Sequence, residues 1–251
     1  MSKIISVHSF RGGTGKSNTS ANLTYLCAVQ GLRVGVVDTD IQSPGIHVLF
    51  GLDDQDMGRS LNDYLWGKCD IEETAHDVTA SLGSDVKGKV FLIPSSIKAG
   101  EIARVLREGY DVGLLNEGFE SLIKNLKLDI LIIDTHPGLN EETLLSIAIS
   151  DTLVLILRPD QQDYQGTSVT AEVARKLDVP QMLMVVNKVP AMFNVDEVKQ
   201  RIEKIYNCEV AAVIPHSDDL MTLASSGIFS MRFPDHPVTK LYKQLVGRLA
   251  R

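Results

Sequence analysis

The chain has 251 residues, 44% of them hydrophobic and 23% charged, enough for one substantial core. Its 25 Lys and Arg against 32 Asp and Glu leave a formal charge of −7, which argues against a surface given over to clamping nucleic acid but leaves room for one basic patch. Cys27, Cys69 and Cys208 are odd in number and far apart, so they supply neither a disulfide framework nor metal-ligand spacing. Met-Ser-Lys runs straight into an apolar stretch without a signal-peptide pattern, and no apolar run nears the ~18 residues of a membrane span. The expected location is cytoplasmic, with nucleoid association as a variant of it.

Strand and helix patterns alternate along the chain. Ile4 to His8 reads as a strand. A helix from Lys16 follows, with Leu23, Leu26, Cys27 and Gln30 on one side and Gly31 as its stop. Arg33 to Asp38 is a continuous apolar strand ending in an acid, the pattern of a parallel sheet covered on both faces. Ser43-Pro44 reads as the first turn of another helix. Residues 51–88 are less regular: an acidic loop at 53–56, a short helix around Leu61 to Trp66, and a loop from Gly83 to Gly88. A strand at Val90 to Pro94 precedes two helices. One carries Ile102, Val105 and Leu106; the other carries Val112, Leu115, Phe119, Leu122 and Leu126 on one apolar face. Strands then follow at Ile130 to Asp134, Leu153 to Leu157, Met182 to Asn187 and Val210 to Ile214. The helices among them begin near Glu141, Ser168 and Val195, and a last one runs from about Val238 to Arg251. Repeated strand–helix units predict a single α/β domain over residues 1–251, a mostly parallel twisted sheet with helices on both faces. Ligands of such sheets sit beyond the carboxyl ends of the strands.

The chemistry concentrates there. Phe10-Arg11-Gly12-Gly13-Thr14-Gly15-Lys16-Ser17 follows the first strand and opens a helix. Glycines let backbone N–H groups turn inward and approach a phosphate chain, and the helix adds its positive dipole end. Lys16 is placed for the β- and γ-phosphates and the Ser17 hydroxyl for Mg²⁺. Asp134, after an apolar strand, is the acid expected to hold that ion through water. The plain motif has Gly five places before the Gly-Lys pair, and here that place holds Phe10.

With Arg11 before Gly12-Gly13, the box resembles the deviant Walker A box of the MinD/ParA family of ATPases, whose basic position is usually Lys. The resemblance runs in family order across the chain and is thinnest over residues 51–110. It implies a P-loop NTPase fold of the MinD/ParA type, with ATP and Mg²⁺ as cofactors. It makes Asp38-Thr39-Asp40 switch I, where Asp40 orients the attacking water and Asp38 helps hold the hydrated ion. It makes Thr135 to Gly138 switch II. His136 stands where the family often has Pro; it could touch phosphate, and its plainer reading is a surface residue. By the same resemblance Asn18 replaces a Thr that contacts the α-phosphate, Asn187 reads the adenine edge, and Pro215 packs the base. Arg11 would cross a dimer interface to the partner's ATP, and its fork differs in shape from Lys.

The implied function is a slow, partner-stimulated ATP hydrolase. It would switch between monomer and ATP-sandwich homodimer to position or partition DNA, a protein complex or a cell structure, with an activating or adaptor protein as partner. Alternatives on the same fold are a biosynthetic ligase or amide synthase, and a metal-cluster carrier, which would need a paired-Cys motif that the three cysteines do not supply. Nonspecific DNA is a candidate partner through Arg175, Lys176, Lys199, Arg201, Lys204, Lys240, Lys243, Arg248 and Arg251, offset by the alternative of plain surface charge. A membrane is not expected, because the apolar side of the last helix suits packing on the sheet.

Overall fold

The structure, a computed structural model, describes residues 2–53 and 56–249, so part of the acidic loop at 53–56 and the last two residues of the C-terminal helix reading lie outside it. The elements run β1 (Lys3–His8), α1 (Lys16–Val29), β2 (Arg33–Asp38), α2 (Ile46–Leu49), α3 (Leu61–Leu65), β3 (His76–Asp77), β4 (Lys89–Ile93), α4 (Ala99–Glu108) and α5 (Gly113–Asn125) in the first half. They continue with β5 (Ile130–Asp134), α6 (Glu141–Ala148), β6 (Thr152–Leu157), α7 (Gln161–Lys176), β7 (Gln181–Val189), α8 (Val195–Tyr206), β8 (Glu209–Pro215), α9 (Asp218–Leu223), α10 (Phe229–Arg232) and α11 (Pro237–Leu249). The strands form one eight-stranded sheet in the order β3-β4-β2-β5-β1-β6-β7-β8. Every pairing is parallel except β3 with β4. The α/β class with helices on both faces therefore stands as read.

Alternation along the central strands sorts the core into two layers. Ile130 and Ile132 of β5 face α1, α2, α10 and α11, whereas Leu131 and Ile133 face α3, α4 and α5. Leu153, Leu155 and Leu157 of β6 extend that second layer under α7 and α8. Both sheet faces are covered, which is why the strands read as unbroken apolar runs.

Several local readings change. Helix α1 is buried nearly all round, with α10 and α11 packed outside it, and Gln30 of the expected apolar side is exposed. Three of its buried polar residues are bonded: Ser20 to Asp134, Thr24 to the Ser20 carbonyl, and Asn22 to the Asn18 carbonyl and the Ser230 amide. Helix α2 starts at Ile46 rather than at Ser43-Pro44, because the Gly45 and Ile46 amides point at the Asp38 carboxylate. Helix α7 begins seven residues before Ser168, capped by the Asp160 side chain on the Gln162 and Asp163 amides. Leu106 is 60% exposed, and Val105 carries the buried face of α4 instead. Strand β3 and the short 3-10 turns at Ile71–Thr74 and Thr79–Leu82 lie in the region read as irregular. At two residues, β3 is too short to show an alternation.

Candidate functional site

The loop after β1 emerges at the carboxyl edge of the sheet between β5 and β6. Gly13 and Gly15 hold φ of 75° and 100°, left-handed values that turn successive amides toward one point. Among the described residues, no acceptor takes the N–H groups of Gly13, Gly15, Lys16 or Ser17. Inward-facing amides without partners at a helix N-terminus fit an anion of several oxygens, as a nucleotide phosphate chain presents. A cavity of about 600 Å³ opens there, lined by Gly12, Gly13, Gly15, Lys16, Ser17 and Asn18, with Asp40 and His136 on one side and Asn187 and Pro215 on another.

Two side chains brace the loop from β7. Asn187 Nδ2 donates to the Thr14 carbonyl at 2.7 Å, and Lys188 Nζ donates to the Gly13 carbonyl at 2.8 Å. Lys188 itself sits at φ 56°, and Asn187 Oδ1 accepts from its amide. Thr14 contributes its carbonyl to this brace, while its hydroxyl is buried without a partner and does not face the cavity.

Beneath the loop, Asp38 and Asp134 end neighbouring strands in register, each 1% exposed. Burial, and then the Asp134 charge, push the Asp38 carboxyl well above the usual carboxylate range. Burial also raises Asp134, to about 6, against the opposing pull of the Ser17 hydroxyl, Lys16 and Ser20. Ser20 Oγ donates to Asp134 Oδ1 at 2.9 Å. Two buried acids side by side, with a serine hydroxyl next to them, form an oxygen-rich and electrostatically unbalanced site. A hard divalent cation with its waters fits that donor set.

The same imbalance makes a prediction. The ionised pair destabilises the native chain relative to the unfolded one. Asp134→Asn, which keeps an oxygen for Ser20, is therefore expected to raise the thermal midpoint of the nucleotide-free protein by several degrees. The gain should be full above pH of about 6 and vanish below the ordinary value of 3.8. Thermal unfolding followed across that range checks it.

Switch I and switch II touch. Thr39 donates through both its amide and hydroxyl to the Asp134 carbonyl, at 2.9 and 3.1 Å. Ser95 Oγ donates to the Asp38 carbonyl at 2.7 Å. His136 Nδ1 lies 2.6 Å from Asp40 Oδ1, so the surface reading of His136 is corrected: its ring is engaged with the acid expected to orient water. His8, at the end of β1, was not singled out by the sequence. It is fully buried, its Nδ1 lies 2.7 Å from Thr135 Oγ1, and burial, then Lys16, hold its imidazole down to about 3. The position before the loop, at the end of a buried strand, was the available signal.

Arg11 is 41% exposed and lies within its own chain 3.7 Å from Asp160 and 3.6 Å from Asp163. Asp163, buried at the start of α7, is held by a fork from Arg158 at 3.0 and 3.3 Å. Phe10 seats its ring on the same helix: a β-carbon at Gly166 would meet Phe10 Cδ1 at 2.0 Å. The loop is thus fastened to α7 on one side and to β7 on the other.

Fold and site together define a nucleotide-binding P-loop protein. A family model described as an AAA domain matches residues 2–182. The chain belongs to that family of P-loop proteins, in its MinD/ParA group, whose cofactors are ATP and Mg²⁺. Among its relatives is an uncharacterized ATP-binding protein of Methanocaldococcus jannaschii, 27% identical over 99% of this chain and 88% of that protein. Another is an iron-sulfur cluster carrier protein of Pyrococcus horikoshii, 26% identical over 73% of this chain and 60% of the carrier. The septum site-determining protein MinD of Pyrococcus horikoshii, solved with Mg-ADP, shares the fold with a TM-score of 0.81 at 21% identity, over 100% of this chain and 97% of that one.

Proposed function

We propose that this chain is a single-domain, Mg²⁺-dependent ATP hydrolase that alternates between a monomer and an ATP-sandwich homodimer to position or partition a cargo. The observation that carries the reading is the conjunction of unpaired loop amides, Lys16 and Asp40 at one cavity, with a buried acid pair ending the neighbouring strands β2 and β5. Gly12, Gly13, Gly15 and Asn18 would cradle the phosphates, and Lys16 would neutralise the β- and γ-oxygens. Ser17, with Asp38 and Asp134 through water, would hold Mg²⁺, which when bound draws charge from the phosphoryl oxygens. Asp40 would accept a hydrogen bond from the attacking water and fix its line of approach. Asn187 spends one amide proton on Thr14, and the second remains for the base edge against Pro215.

Arg11 is the residue offered to a partner. Both its ion pairs are long; the one to half-exposed Asp160 is worth about 0–1 kcal/mol, and buried Asp163 is already held by the fork from Arg158. A partner's phosphate chain, carrying more negative charge than either carboxylate, would draw it away. The remaining partner in this reading is an activating or adaptor protein. Nonspecific DNA finds fewer free cations than the sequence suggests: Arg175 is tied to the Tyr206 carbonyl, Lys243 to the Pro234 carbonyl, Lys199 to Glu203 and Arg248 to Glu209, and Arg201 lies over the Tyr164 ring. Arg251 lies outside the described residues. No helix among the described residues is long and apolar enough to cross a membrane. Among the described residues no group of three or more His, Cys, Asp and Glu side chains is placed to hold a metal ion directly.

Light scattering tests the switch. With Mg²⁺-ATP the mass should double, and Lys16→Ala should remain monomeric with nucleotide affinity lowered at least about 10²-fold. A wild-type mass unchanged by Mg²⁺-ATP would remove the sandwich dimer from the reading.

A further inference from the structure

Both described contacts of the Asp40 side chain fall on one oxygen. Oδ1 lies 2.6 Å from His136 Nδ1 and accepts from the Ser43 amide at 3.1 Å. Among the described residues nothing hydrogen-bonds to Oδ2, and Asp40 and His136 line the cavity together with Lys16 and Ser17. A carboxylate has a broad, two-fold rotation about its last torsion and presents either edge unless one oxygen is held. An ionised carboxylate only accepts, so the proton of this contact belongs to His136 Nδ1.

The ring is itself aimed. The preceding Thr135 is buried, gives its hydroxyl proton to the Val7 carbonyl at 3.1 Å, and meets His8 Nδ1 at 2.7 Å. The His136 carbonyl accepts from Thr143 Oγ1 at 3.3 Å, and Pro137 follows with its backbone angle locked. A proline at position 136 would offer no such donor.

We propose that His136 is a positioning residue for hydrolysis: its Nδ1–H pins Asp40 Oδ1, so that Oδ2 faces the cavity as the single acceptor for the attacking water. The inference rests on the reading of Asp40 as the water-orienting acid. It makes switch II set the orientation of the switch I carboxylate, so the attack geometry forms only when the two segments meet.

Two measurements test it. The first needs no nucleotide. In the long-range nitrogen–proton NMR spectrum of the free protein at mildly alkaline pH, His136 should appear as the Nδ1–H tautomer and shift toward the Nε2–H form in Asp40→Ala. The second is steady-state ATP turnover. His136→Ala should lose about 10²-fold in kcat with KM unchanged, the scale expected when a reacting group is misplaced. His136→Asn, whose amide can occupy the Nδ1 position, should recover most of that loss. An Nε2–H tautomer in the free protein overturns the inference. So does a His136→Ala kcat within about threefold of wild type while Asp40→Ala is inactive, and that result leaves the hydrolase reading in place. Normal turnover by Asp40→Ala would overturn the inference together with the reading of Asp40 on which it rests, and would leave the hydrolase reading in place.

Discussion

Asp40→Ala is expected to lower ATP turnover by about 10²–10³-fold while leaving Mg²⁺-ATP affinity within a few-fold of wild type. Among the described residues no hydrogen bond or ion pair joins the Asp40 side chain to the loop amides or to Lys16, although all of them line one cavity. The interactions that hold the phosphates in the ground state therefore survive its removal, while the alignment of the attacking water does not. Such a loss appears in kcat rather than in KM. A second consequence, on the proposed sandwich-dimer switch, is that an ATP-bound dimer should accumulate, because hydrolysis would no longer dissolve it. Single-turnover hydrolysis measured beside nucleotide binding separates these effects. Turnover retained in the variant would assign the water to another group.

The second large effect is expected at Gly15. Its φ is 100°, and a β-carbon there would lie 2.5 Å from Asn187 Nδ2. Gly15→Ala therefore carries two costs. The left-handed backbone is strained for any residue with a side chain, by about 1–3 kcal/mol. The Asn187 amide must also leave the Thr14 carbonyl, giving up a bond of about 1 kcal/mol net and freeing the loop's main brace. Nucleotide affinity should fall at least about 10²-fold and stability by about 2–4 kcal/mol. Calorimetric nucleotide titration and denaturant unfolding read the two quantities. Combining the change with Asn187→Ala should relieve the steric part of the stability loss and none of the affinity loss, since the brace stays absent.

Much of this was legible in the sequence because the signals were local or periodic. The continuous apolar strands announced a doubly covered sheet, and the acids that end β2 and β5 marked the edge where the cavity opens. The Gly-rich turn between Val7 and Lys16 marked the loop whose amides stand unpaired at the cavity. Tertiary partners hid the rest. Ser20 and Asn22 look like solvent-facing helix residues, and only Asp134, Ser230 and the covering helix α11 explain their burial. The contact of His136 with Asp40 joins residues far apart in the chain, and no spacing rule reaches that distance. Lys188, which holds the Gly13 carbonyl, reads in sequence as an ordinary cation after a strand. The contacts of the basic patch were hidden in the same way, since a residue count does not show that Lys199 and Arg248 face Glu203 and Glu209.

The ring of Phe10 resting on Gly166 bears on the absent first glycine of the general motif. Position 10 could take a bulky side chain only where the facing helix gave up its own β-carbon. The room for the Phe10 ring comes from the glycine at 166, in the wall that the loop leans on. Positions 10 and 166 therefore form one steric unit that tolerates exchange but not independent change. Enlarging residue 166 alone would push the loop out of register, whereas enlarging it together with a reduction at position 10 would restore the fit.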